Sequence, residues 1–232
     1  MKVERQQDIS AIGAMSDPLR RSVYDYISKN RKALSRDEIA EGLGVPRATI
    51  AFHLEKLVAE GLLDFEFKRL GGRTGPGAGR PSKLYSRTQK EISVSIPQRQ
   101  YDIAGHLLAT AIERSELNGE AVRDSLNQVS HDEGVSLGKS AESLDSALTQ
   151  CGYEPYQDEH GNVLLANCPF HQLSTGHTDL ICGANVELVK GMISGSGAQN
   201  LSASLTPNPG GCCVRIALTS EVAPPESGEA KG

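Results

Sequence analysis

The 232-residue sequence predicts an α+β chain in three parts: an N-terminal domain of helices and a hairpin, a helical stretch, and a C-terminal mixed α/β domain. Three observations predict it. The length exceeds the roughly 100 to 150 residues of a usual single domain. Charge divides near residue 95, with 17 Lys and Arg against 12 Asp and Glu in residues 1–95, and 7 against 17 in residues 96–232. Apolar spacing is helical through the first 60 residues, strand-like around a Gly/Pro-rich loop, helical again after 100, and strand-like after 153. The expected boundaries are 1–90, 91–150 and 151–219, followed by a polar tail at 220–232 that cannot bury a core.

Residues 11–29 place Leu19, Val23, Tyr26 and Ile27 at helical spacing, and Asp17 before Pro18 is a good helix start, so this stretch is predicted as the first helix. Ser35 followed by Glu38 has capping-box form, and Ile39, Ala40 and Leu43 supply a stripe ended by Gly44. Val45-Pro46 makes a turn. A third helix begins at Pro46 and runs to about Glu60, with Ile50, Leu54 and Leu57 on one face and Gly61 closing it. LLDFEFKRL and KLYSRT predict two strands flanking the loop GGRTGPGAGRPS. Two short helices across a tight turn, then a hairpin, is the winged helix-turn-helix pattern.

After a boundary at 89–100, two polar-faced helical stretches are expected to link or dimerise the protein. From Tyr153 the pattern predicts short strands around Gly161-Asn162, a helix from about Thr178 to Ile193, and a hairpin around Pro207 to Gly211. No 18-residue apolar run exists and the N-terminus lacks the apolar stretch of a signal peptide, so a cytoplasmic protein without membrane contact is expected. Five cysteines is an odd count. Cytosolic thiols are kept reduced, which argues against a disulfide framework.

The basic N-terminal part suits double-stranded DNA, since cationic surface attracts phosphate and releases counterions, and the acidic remainder does not. With Ile50 taken as the core direction at about 100° per residue, Ala48, Phe52 and Ala59 point away, flanked by Thr49, Ala51 and Lys56. Arg47 lies nearer the core side, but its first-turn position and long stem let it reach phosphate or guanine. Phe52 suits contact with a thymine methyl, packing within the domain being the alternative. His53 reads as a satisfied histidine at the core edge. Arg73, Arg80 and Lys83 make the hairpin loop a basic wing for phosphate or the minor groove, and Gly79-Arg80-Pro81 resembles an AT-hook core.

DPLRRSVYDYI, the stretch SRDEIAEGLGVPRATIAFHLEKLVAEGLL and the basic wing resemble ArsR-type winged-helix transcriptional regulators over about 80 residues. Thr49, His53, Leu54, Leu57, Gly61 and Leu62 carry the spacing of the resemblance. It implies a homodimer on a palindromic operator.

In the C-terminal half, Cys168, Cys182 and Cys212 fall at C-x13-C-x29-C, too long for a zinc ribbon but compatible with ligands gathered from separate elements. Three thiolates with a histidine or exogenous fourth ligand suit an iron–sulfur cluster whose redox state biases DNA binding. A zinc site of Cys168, His171, His177 and Cys182 is an alternative. Plain burial, with no cofactor, is another. Thiol oxidation sensing is less favoured, because no Lys or Arg adjoins Cys168 or Cys182, and Arg215 near Cys213 is the only hint. The segment is similar to the C-terminal half of iron–sulfur repressors that control cluster-assembly operons. That resemblance implies Cys168, Cys182 and Cys212 as ligands, with His171 or Cys213 as the fourth. Cys151 matches nothing in it. Catalysis by a Cys168/His171 pair has no oxyanion element to support it, and Pro169 lacks an N–H, so the chain is not expected to be an enzyme.

Overall fold

A computed structural model describes residues 2–69, 81–198, 200–206 and 211–219. The chain forms two compact units, Met1–Val94 and Ser95–Gly232.

In the first unit, helix α1 (Lys2–Ala14) precedes α2 (Pro18–Lys29). The single helix expected over 11–29 is therefore two, broken where Asp17 caps α2 by accepting from the Arg20 N–H at 2.8 Å. α1 escapes the apolar pattern because its buried contacts are the alanines Ala11 and Ala14. Ser35 caps α3 (Arg36–Leu43) in a full capping box with Glu38, and Gly44 ends the helix at φ 64°. That left-handed geometry favours glycine. Pro46 is the residue before α4 (Arg47–Ala59), one position earlier than a first helical residue. Ile50, Leu54 and Leu57 are wholly buried against Val23, Ile27 and Ile39. Each such side chain stabilises the unit by about 1.5 to 3 kcal/mol. Leu34 and Ser35 form a short strand, β1, that the apolar pattern does not reveal; it pairs antiparallel with β3 (Ser82–Arg87), which also pairs with β2 (Leu63–Lys68), giving the order β1-β3-β2.

The second unit begins with α5 (Tyr101–Asn118), α6 (Val122–Ser140) and α7 (Leu144–Gln150). These helices, expected to link or dimerise, pack into the same unit as the later elements. After them come β4 (Pro155–Gln157), β5 (Val163–Leu165), α8 (His171–Gly176), α9 (Thr178–Ser196), β6 (Leu201–Leu205) and β7 (Val214–Leu218). The strands form one antiparallel sheet in the order β4-β5-β7-β6. α9 shares one core with the sheet, its Leu188, Val189 and Met192 wholly buried among Tyr153, Leu165 and Ile216.

The α6–α9 contact is made of glycine. Gly134 and Gly138 on α6, and Gly191 and Gly195 on α9, each recur at i, i+4 and so share a helix face. A methyl group at Gly134 would run into the Leu188 carbonyl oxygen, and one at Gly191 into that of His131. Gly138 and Gly195 are closed in the same way by the carbonyls of Met192 and Val135. The two backbones therefore touch directly. Among the described residues no helix is long and apolar enough to cross a membrane. The tail expected at 220–232 lies outside the described residues.

Gly191→Ala should destabilise the second unit by several kcal/mol, since backbone rather than a flexible side chain must give way. Gly105→Ala, on α5 with nothing near its would-be methyl, should be neutral or stabilising by up to about 1 kcal/mol. Urea unfolding of the two variants checks the contrast.

Candidate nucleic-acid interface and thiol cluster

α4 buries one face and exposes the other. Phe52 is 65% exposed, although phenylalanine is usually drawn into a core. Ala48, Lys56 and Ala59 are exposed with it, and Thr49 and Ala51 are half-buried at its sides. Arg47 is exposed rather than on the core side, and its guanidinium pairs with Asp37 of α3 at 2.5 Å. Lys56 pairs with Glu60 one turn on. His53 is buried, yet its Nδ1 has no hydrogen-bond partner among the described residues, so it is not the satisfied histidine expected. Its ring meets Phe52 edge to face, with centroids 5.4 Å apart.

Lys83 lies on β3, where its ammonium pairs with Glu55 of α4 at 2.8 Å and stands 4.0 Å over the Phe65 ring. The same contact holds the Glu55 carboxyl below its ordinary pKa. Lys83 thus joins the hairpin to α4. Phe65 and Phe67 alternate along β2, 44% and 63% exposed and packed edge to face at 5.7 Å. This aromatic pair was visible in the sequence only as strand alternation. Arg73, Arg80 and most of the AT-hook-like stretch lie outside the described residues.

In the second unit the structure gathers Cys168, Cys182, Cys212 and Cys213 from the β5–α8 loop, α9 and the start of β7. Cys212 donates its S–H to Cys168, and Cys182 donates to Cys213. Cys168 is near enough to Cys182 to act on it electrostatically. The sulfurs stand as two adjoining pairs; among the described residues no three His, Cys, Asp or Glu side chains make a ready metal cage. Cys151 is buried in the apolar core, which pushes its thiol up to about 12.

Each inner sulfur has hydrogen-bond donors around it. Cys168 accepts from Cys212 and the Phe170 N–H, with the Arg99 guanidinium nearby, while the Ser174 hydroxyl donates to the His171 carbonyl at 2.8 Å. These groups pull its thiol below the ordinary value, the Cys212 bond most of all. A cation therefore reaches Cys168 after all, from 69 positions earlier in the chain. Arg99 donates to the Cys168 carbonyl at 3.2 Å and to the Asn167 side-chain oxygen. Asn167 in turn donates to the carbonyls of Gly152 at 2.6 Å and Gln98 at 2.8 Å, fixing the loop that presents Cys168. Cys212 accepts from the Val214 N–H and from Asn185 Nδ2 at 3.3 Å, while the proton it shares with Cys168, together with burial, raises its own thiol. Cys182 is raised to about 11, by burial first. His171 and His177 are exposed, and the donors to Cys168 do not include His171.

Residues 15–64, from three residues before α2 to the start of β2, match a family model described as a helix-turn-helix domain. That match supports a DNA-binding transcriptional regulator. No curated protein matches the chain.

The capping box fixes the start of α3 within this domain, so Ser35→Ala should cost about 1 kcal/mol. The Ser35 hydroxyl and N–H hold the Glu38 carboxyl below its ordinary value. A lowered carboxylate contributes stability above its unfolded pKa and loses it as pH falls through the folded one. Ser35→Ala should therefore weaken the domain at neutral pH and narrow its loss of stability in acid, as read by urea unfolding across pH.

Proposed function

We propose that the chain is a sequence-specific DNA-binding transcriptional regulator of the winged-helix type, acting as a homodimer, with a thiol-held iron–sulfur cluster as its signal. α4 is the reading helix and the β2–β3 hairpin the wing. The observation that carries this reading is the exposed face of α4, where a 65% exposed Phe52 stands among Ala48, Thr49, Ala51 and Lys56 while the opposite face is fully buried. An apolar ring with small neighbours leaves room for a base edge and suits a thymine methyl. Arg47 reaches DNA by exchanging Asp37 for phosphate or guanine, and Lys56 by leaving Glu60. Lys83, Arg73 and Arg80 supply the wing's charge, Lys83 from a position already fixed by Glu55. The homodimer rests on the family resemblance. No catalytic step is part of the proposal.

Cys168, Cys182 and Cys212 are the proposed ligands, with Cys213 or His171 as the fourth. The chemical type of the donors supports this reading, namely soft, largely buried thiols drawn from separate elements with N–H donors at Cys168 and Cys212, although among the described residues no three of them stand as a ready metal cage. When bound, the cluster supplies a one-electron change of charge inside the unit. Arg99 and Asn167 hold the Cys168 loop in place. A second reading keeps the regulator and makes the cysteines structural, with zinc or no cofactor. It is favoured by the two self-satisfied thiol pairs.

The test is selection of duplexes from a random library by the full chain, followed by affinity measurements across salt. Phe52→Ala should lower affinity for the selected duplex about 5- to 100-fold, as expected for loss of one base contact, and relax sequence preference. Lys56→Ala should reduce the salt slope by about one. Wild-type affinity and salt slope in both variants would refute the assigned face. Anaerobic purification with visible absorption, iron and sulfide analysis tests the cluster. Coloured protein containing iron and sulfide, lost in Cys168→Ser, is expected; colourless iron-free protein would leave the structural reading.

A further inference from the structure

A strand at a sheet edge offers its unpaired N–H and C=O groups to any other chain, and proteins guard such edges with charge, proline or brevity. Among the described residues the edge strands are β1, β2, β4 and β6. β1 is two residues long, and β2 carries Asp64, Glu66 and Lys68. β4 lies between Glu154 and Asp158, and Pro155, whose backbone faces the free side, has no N–H to give. β6 has no such guard. Its Leu201–Leu205 reads Leu-Ser-Ala-Ser-Leu, without charge or proline, in the acidic half of the chain.

The ladder fixes which backbone groups of β6 are free. The Thr206 N–H donates to the Cys213 carbonyl at 2.7 Å, and the Thr219 N–H to that of Asn200 at 2.8 Å. Even-numbered residues from Asn200 to Thr206 therefore turn their backbone toward β7, and Leu201, Ala203 and Leu205 turn theirs outward. The Leu201 N–H is taken by the Ala198 carbonyl at 3.0 Å. Among the described residues nothing takes the N–H of Ala203 or of Leu205.

The strand is also a palindrome about Ala203. Antiparallel pairing with a copy of itself sets Leu201 against Leu205, Ser202 against Ser204 and Ala203 against Ala203. In that register the two Ala203 residues exchange both N–H···O bonds, and each Leu205 N–H meets the Leu201 carbonyl of the other copy. The core face continues across the join, because Leu218 and Leu201 of one copy line up with Leu205 and Val214 of the other. Leu205 and Leu218, 48% and 62% exposed in the single chain, both lie in this row. No like charges meet, although each copy is acidic here. We propose that the β6 edge is the surface through which two copies of this chain join, strand to strand around a two-fold axis at Ala203. The proposal rests on the homodimer reading and names the surface that makes it.

Sedimentation equilibrium of the full chain without DNA compares wild type with two double variants. Ser202→Lys with Ser204→Lys sets lysine opposite lysine; Ser202→Lys with Ser204→Glu sets lysine opposite glutamate. Both positions are exposed, and circular dichroism checks folding. Wild type should be a dimer. The lysine pair should raise its dissociation constant about 10-fold or more, and the lysine–glutamate pair should stay within about 3-fold of wild type. A wild-type dissociation constant in the lysine pair, or equal weakening in both variants, would overturn this inference and leave a homodimer joined elsewhere. Wild type that stays monomeric at every concentration would overturn the homodimer reading and this inference with it. If the variants do not fold, hydrogen exchange in wild type decides. Slower exchange of the Ala203 and Leu205 amides as concentration rises through dimerisation supports the edge pairing, and unchanged exchange overturns it.

Discussion

The second unit depends on the direct contact of two backbones, α6 against α9, permitted by four glycines at i, i+4 spacing. Because α9 meets α6 backbone to backbone at these four glycines, its position there is set to within a methyl group. The same helix carries Cys182 and Asn185, both buried. The thiol cluster and its polar support thus inherit their geometry from a contact that contains neither sulfur nor charge.

The first unit has a different governing constraint. α4 must fill the space between α2, α3 and the hairpin with Ile50, Leu54 and Leu57, and those three positions fix its rotation. Once they are buried, Phe52 has nowhere to go but outward. The Glu55–Lys83 pair then sets where β3 stands against α4, with one charge on each element. Exposed ion pairs of this kind are worth at most about 1 kcal/mol, so the pair directs more than it stabilises.

What was legible in the sequence was local. The Ser35–Glu38 box, Gly44, the apolar stripe of α4 and the two strands of the hairpin are written within a few residues of one another, and rotation by 100° per residue was enough to expose Phe52. α1 was missed because alanine is too small to mark an apolar face. The α6–α9 contact was missed because glycine in a helix reads as a weakness unless its distant partner is known. Arg99 shows the same limit: adjacency to Cys168 along the chain found no cation, whereas the fold brings one from 69 positions away. Tyr153 and Asn185, joined by a buried hydrogen bond across 32 positions, had no pattern to betray them.

The most direct measurement is photo-crosslinking from position 52, with a photoreactive amino acid placed there in the full chain and a selected duplex bound. Covalent adducts to bases in the major groove are the predicted result. DNA binding retained with adducts only to protein, or with none, would contradict the account.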